Sequence, residues 1–137
     1  MQVQHFPIDR TYSNQHSWLA LAPGDRFADY PIRAGLTPLA VRGHEVVAVE
    51  LPPVRSIVAA RVPCGSVRLA GRPAFPIYSP IAGMITIHNA EAIARPESVA
   101  EDSFHTGWLF AVLPTPSSST NGLLTRRQYL EEIGATV

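Results

Sequence analysis

The 137-residue chain has no lysine; all eleven of its basic residues are arginine. A base-composition bias accounts for the choice of arginine, but the chemical consequence holds whatever its origin. No side chain offers a primary amine, so any modification that acylates a lysine is excluded. Cysteine is nearly absent too: Cys64 is the only one, which rules out an internal disulfide and a multi-cysteine metal site. Charge of either sign is not in excess, since eleven acidic residues balance the eleven arginines. That balance argues against nucleic acid and against a membrane surface as partners. Apolar residues never run on for the ~18 positions a membrane-spanning helix needs. Residues 1–9 lack the charged and apolar regions of a secretion signal, which makes the cytoplasm the expected location.

Catalytic signatures are missing as well. There is no P-loop and no Gly-x-Gly-x-x-Gly. Ser66, Ser79 and Ser103 have no Gly-x-Ser-x-Gly elbow around them. The five histidines, His5, His16, His44, His88 and His105, show none of the close spacing typical of zinc ligands. The expectation is a protein that is not an enzyme and holds no metal.

Thirteen prolines are spread along the chain, and each fixes φ and removes a backbone donor. Short β-branched stretches predict strands over 17–21, 45–51, 57–61, 66–69, 77–79, 84–88 and 108–112. Turn signals fall at Gly24-Asp25, Pro52-Pro53, Ala82-Gly83 and Asn89. Many short strands with frequent turns imply an all-β barrel or sandwich. Two helices are expected, a short one over 90–94 and a better one over 125–133. In the second, Thr125 is placed to cap, Gln128 sits at the capping-box position and Gly134 can stop it. The polar run 114–121 reads as a Pro/Ser linker. The expected organisation is therefore a β-domain over 1–113, the linker, and a C-terminal helix in 122–137 packed on the domain.

Four stretches together resemble the glycine cleavage system H-protein family. Tyr12-Ser-Asn-Gln-His16-Ser-Trp18 resembles its opening Tyr-Thr-x-x-His-Glu-Trp. Gly35-Leu-Thr37 and Gly43-His-Glu-Val-Val-Ala-Val-Glu50-Leu51-Pro52 resemble Gly-Ile-Thr and Gly-Asp-Ile-Val-Phe-Val-Glu-Leu-Pro. Tyr78-Ser-Pro80-Ile-Ala-Gly83-Met-Ile-Thr-Ile-His-Asn89 resembles Tyr-Ala-Pro-Val-Ser-Gly-Glu-Val-Val-Glu-Val-Asn. Pro96-Glu-Ser-Val-Ala-Glu101-Asp102-Ser-Phe-His-Thr-Gly107-Trp108-Leu109-Phe110 resembles Pro-Glu-Leu-Val-Asn-x-Asp-Pro-Tyr-Gly-x-Gly-Trp-Leu-Phe. The resemblance covers roughly residues 11–113. It implies a barrel-sandwich hybrid, the fold of lipoyl and biotinyl carriers, with short helices and a C-terminal helix. In that family a hairpin presents a lipoyl-lysine that shuttles a methylamine group between enzymes. The same pattern implies that Trp18 and Trp108 are packing residues and that His16 supports the fold.

This chain departs from the pattern where the family's chemistry sits. The lipoylated lysine stands six residues before the Tyr-x-Pro, which lands on Arg72, or on Gly71 if the register slips by one. Lipoylation needs a neutral amine nucleophile. An arginine, with a pKa above ~12 and a delocalised cation, supplies none near neutrality. Leu69 replaces the acidic residue three before the lysine, and Pro73 removes a backbone donor just after the tip. Lipoate is therefore not expected as a cofactor, and biotin fails on the same ground.

The function this implies is a non-lipoylated, non-catalytic binding or assembly module. Its expected partner is a glycine decarboxylase or an aminomethyltransferase; the alternative is a scaffold subunit of an unrelated enzyme complex. Arg72, Arg68 and His16 are the candidate partner-binding residues, with a bidentate arginine suited to a carboxylate or phosphate. A third alternative is a thiol carrier using Cys64. A lone cysteine between proline and glycine is more often a small buried hydrophobe.

Overall fold

A computed structural model describes residues 6–27, 29–116 and 118–134. Among the described residues nine strands follow one another: β1 (Thr11–Tyr12), β2 (Ser17–Leu19), β3 (Ile32–Leu36), β4 (Val46–Glu50), β5 (Ile57–Val58), β6 (Pro63–Leu69), β7 (Phe75–Tyr78), β8 (Gly83–His88) and β9 (Phe110–Pro114). The described residues also form four short helices: α1 (Pro38–Val41), α2 (Ala90–Ala94), α3 (Ser98–Glu101) and α4 (Arg126–Glu132). The strands form a six-stranded sheet in the order β1-β2-β3-β9-β8-β5 and a three-stranded sheet in the order β4-β6-β7. All pairings are antiparallel.

Two-residue alternation explains how the sheets meet. Along β6, Val67 and Leu69 are buried while Ser66 and Arg68 point the other way. Along β9, Phe110 and Val112 face the same core. Val46 and Ile77 from the small sheet join Ile32, Leu36 and Ile85 from the large one in a single apolar cluster. Each such side chain contributes about 1.5–3 kcal/mol when fully buried.

A second cluster lies beside the first and is largely aromatic. Phe6, Tyr12, Trp18, Leu39, Phe104, Tyr129 and Leu130 form it. Tyr12 and Tyr129 stack with ring centroids 5.1 Å apart and planes 10° from parallel. The Trp18 indole N–H donates to the carbonyls of Leu36 and Ser103, each at 3.1 Å. Helix α4 brings in Tyr129 and Leu130, and its start is fixed as the sequence predicts. Gln128 N–H donates to the Thr125 hydroxyl at 3.2 Å, and Thr125 N–H donates to the Gln128 side chain at 2.9 Å. Gly134, at φ +77°, follows its last turn.

Several elements differ from the sequence expectation. Strand β3 was not foreseen because Ala34 and Gly35 are weak strand formers. Gly35 is nevertheless required: a Cβ there would lie 2.7 Å from the Trp18 ring. Helices α1 and α3 are single turns, too short to leave a periodic signal. The strand expected over 57–61 stops at Val58, since Arg61 takes a left-handed φ of 62°. The last strand is shifted from 108–112 to Phe110–Pro114, so Pro114 closes a strand rather than opening a linker. Within the 114–121 run, the Ser118 hydroxyl bonds the Ala82 carbonyl and Asn121 O accepts from Arg61 at 2.9 Å. Leu124 then bridges to Tyr12.

Candidate functional site

The β6–β7 hairpin carries the position of interest. Val67 pairs with Phe75, and residues 70–74 make the turn between them. Gly71 sits at φ +72°, a left-handed conformation that glycine reaches without a Cβ penalty. Ala70, Gly71, Arg72 and Pro73 are all exposed. Leu69, at the position the family gives to an acid, is instead a core residue at 5 % exposure. Arg72 is held from below: its Nη1 lies 3.1 Å from His44 Nε2. A guanidinium only donates, so the imidazole nitrogen is the acceptor in that bond.

His16 is placed at a different point of the same surface. It lies in the turn between β1 and β2, at φ 67°. Its Nδ1 is 2.7 Å from the Tyr129 hydroxyl, which is also 2.8 Å from Thr37 Oγ1. Its ring lies 6.3 Å from that of Phe75, on the first residue of β7. Burial, with a smaller push from the Arg42 charge, lowers the His16 pKa below its ordinary value. The imidazole is therefore neutral near pH 7, and the Tyr129 hydroxyl bridges His16 Nδ1 and Thr37 Oγ1. Burial pushes the Tyr129 phenol up to about 12 against the opposing Thr37 bond and Arg42 charge. That phenol stays protonated and available as a donor.

Arg68 is exposed on the outward face of β6, where it pairs across with Ala48. No hydrogen bond, ion pair or ring contact joins Arg68, Arg72 and His16 to one another among the described residues. The structure instead gives each its own neighbourhood: open sheet, hairpin tip, and the edge of the aromatic cluster. Two partners escaped the sequence reading, His44 beneath Arg72 and Tyr129 behind His16. A buried tyrosine has to place its hydroxyl somewhere, which was the available signal for the second. His44 had none.

Cys64 packs against the main core at intermediate burial. Burial raises its thiol pKa, with a hydrogen bond to the Ser79 backbone opposing. The other described histidines are scattered, with His88 bonded to the Pro52 carbonyl and His105 to Asp102. His5 lies outside the described residues. Among the described residues no three His, Cys, Asp or Glu side chains are grouped to hold a metal ion, and no helix is long and apolar enough to cross a membrane.

The sequence pattern of the family described as "Glycine cleavage H-protein" matches residues 10–135. The chain belongs to the glycine cleavage H-protein family. It is 33% identical to the glycine cleavage system H protein of Chromobacterium violaceum over 134 residues, covering 97% of this chain and 100% of that protein. The H protein of Geobacillus sp. (strain WCH70) is also 33% identical, with 93% and 95% covered. The crystal structure of an H protein from Mycobacterium marinum superposes with a TM-score of 0.86 at 35% identity, covering 94% of this chain and 99% of that one. The barrel-sandwich fold expected from the sequence motifs is thus the fold of the family. H-protein family members normally carry lipoate. The hairpin turn of this chain does not fit that group, because none of its residues bears an amine.

Proposed function

We propose that this H-protein family member works without lipoate, as a non-catalytic docking or assembly module for an enzyme of the glycine cleavage type in the cytoplasm. One observation carries the reading: the hairpin turn, at φ +72° for Gly71 and with Arg72 exposed beside it, belongs to a chain with no lysine. A guanidinium cannot be acylated at neutral pH, yet it binds carboxylates and phosphates well. Arg72 is accordingly assigned to a partner's anionic group, with His44 fixing its orientation. Arg68 adds a second exposed cation on β6, and His16 supports β7 through Phe75. The sandwich, the 114–121 segment and helix α4 act as one docking unit. A carrier role for Cys64 is disfavoured by the thiol's burial and raised pKa.

The test is affinity capture of the chain from its native host, with mass spectrometry of the co-purifying proteins. Recovery of glycine decarboxylase or aminomethyltransferase is the expected result. Recovery of an unrelated complex alone means the fold has been redeployed as a scaffold elsewhere.

A further inference from the structure

The register of the first three strands puts an arginine on either side of a small residue. Thr11 pairs with Leu19, so Arg10, one residue before β1, falls opposite Ala20. On the other side the Ala20 N–H donates to the Arg33 carbonyl at 2.9 Å. Side chains two positions apart share a face of a strand, so Ala20 continues the face of Trp18, which packs in the aromatic cluster. A methyl group cannot fill the space between two long side chains. An open cleft of about 350 Å³ remains there, and Arg10, Trp18, Ala20, Arg33, His105 and Trp108 are among its lining residues.

Each arginine is held against an aromatic face. The Arg33 guanidinium lies 4.4 Å from the centroid of the Trp108 ring, and that of Arg10 lies 5.3 Å from the centroid of the Trp18 ring. Both are within cation–π range. Arg10 also donates to the Phe104 carbonyl at 3.3 Å and to Asp9 at 3.0 Å. The Arg33 side chain has no hydrogen-bond acceptor and no carboxylate partner among the described residues. No acidic residue lines the cleft. Asp102, close by in sequence, is engaged elsewhere: it accepts from the Thr106 N–H and hydroxyl at 3.2 and 2.9 Å and lies 3.3 Å from His105 Nδ1. A positioned cation therefore faces an aromatic-walled space that holds no counter-charge.

We propose that this cleft binds a small organic oxyanion, a carboxylate or phosphate monoester carried on a compact flat body. Arg33 takes the oxyanion through its paired N–H donors, the geometry in which guanidinium binds both groups best. Arg10, already shared with Asp9, adds to the positive field. The Trp18 and Trp108 rings give the body its apolar wall, and the volume lies at the lower end of small-molecule sites. A bare inorganic ion would leave those walls uncovered. The site is separate from the hairpin and stands whether or not the docking role above holds.

The experiment titrates benzoate, phenyl phosphate, inorganic phosphate and neutral benzyl alcohol into the full chain, followed by nuclear magnetic resonance. The chain has two tryptophans and both line the cleft, so each indole N–H signal reports on it. Benzoate or phenyl phosphate should shift these signals with a Kd of about 0.1–1 mM; the tighter of the two names the anion. Inorganic phosphate and benzyl alcohol, each lacking one half of the ligand, should bind at least about tenfold more weakly. Arg33→Ala should weaken the tighter aryl anion about tenfold or more. Ala20→Glu, at an exposed position, sets a carboxylate between the two guanidinium groups and should abolish binding. Arg127→Ala removes an exposed cation outside the cleft and should leave binding unchanged. Circular dichroism checks that all three variants are folded. Absence of a shift with both aryl anions overturns the proposal, as does full-strength binding by Arg33→Ala and Ala20→Glu. An equal loss with Arg127→Ala means attraction to surface charge at large, and inorganic phosphate binding as tightly as phenyl phosphate means an adventitious ion only; either overturns it too.

Discussion

The aromatic cluster under helix α4 and the turn of the β6–β7 hairpin lie on one small molecule and follow opposite rules. In the cluster every polar atom of the large rings has an assigned neighbour. Trp18 donates to two carbonyls, Tyr12 donates to the Pro7 carbonyl, and Tyr129 joins His16 to Thr37. In the turn nothing is buried, and among the described residues one bond from Arg72 to His44 is the only side-chain tie. The cluster is tied together inside the fold, and the turn is open to solvent and carries no amine. Substitution at the exposed turn is expected to cost the sandwich little, and substitution in the buried cluster much.

Substitutions should reproduce that asymmetry. Tyr129→Ala should cost the most, about 3–5 kcal/mol, because it empties a fully buried ring site. Denaturant unfolding monitored by Trp fluorescence checks it, and a loss below 1 kcal/mol would show the cluster is not a support. Gly35→Ala comes next, at about 1–3 kcal/mol, since the new Cβ would lie 2.7 Å from a Trp18 ring that two hydrogen bonds hold in place. A midpoint unchanged from that of the unsubstituted chain would mean the strand yields more easily than this packing allows.

A smaller effect depends on pH. The folded pKa of His16 lies below its ordinary value, through burial first and Arg42 second. The unfolded chain therefore takes up the proton at a higher pH than the folded one. Stability from neutral His16 is present above about pH 6.5 and is lost as pH falls through and below that value. Unfolding curves between pH 7.5 and 5 should show a steeper decline for the unsubstituted chain than for His16→Gln; parallel declines contradict the assignment. At the bottom of the scale, Arg72→Ala should move stability by no more than about 0.5 kcal/mol. A thermal melt showing a larger loss would mean that the bond to His44 braces the hairpin.

Local features of the molecule were legible in the sequence, and long-range ones were not. Helix α4 could be read from Thr125, Gln128 and Gly134, because a capping box and its stop signal lie within ten residues. Helix α2 was placed at its observed bounds, with Asn89 accepting from Glu91 N–H. Strand β3 was hidden because Gly35 answers to Trp18, seventeen positions away, rather than to strand propensity. The bond from His16 to Tyr129 spans 113 residues and left no local trace. Arg72 was found by counting back from Tyr78, but counting could not reveal His44. The half-buried Met84 and the exposed Ile87 of β8 were legible in the sequence only as apolar residues. Only the register of β8 with β9 separates them from Ile85, which faces inward.

The most direct test of the central claim is the intact mass of the chain purified from its native host grown with lipoate supplied. The account predicts the mass of the bare polypeptide, near 14.9 kDa, with no fraction heavier by a lipoyl group. A lipoylated fraction, localised to the β6–β7 turn or anywhere else, would contradict it.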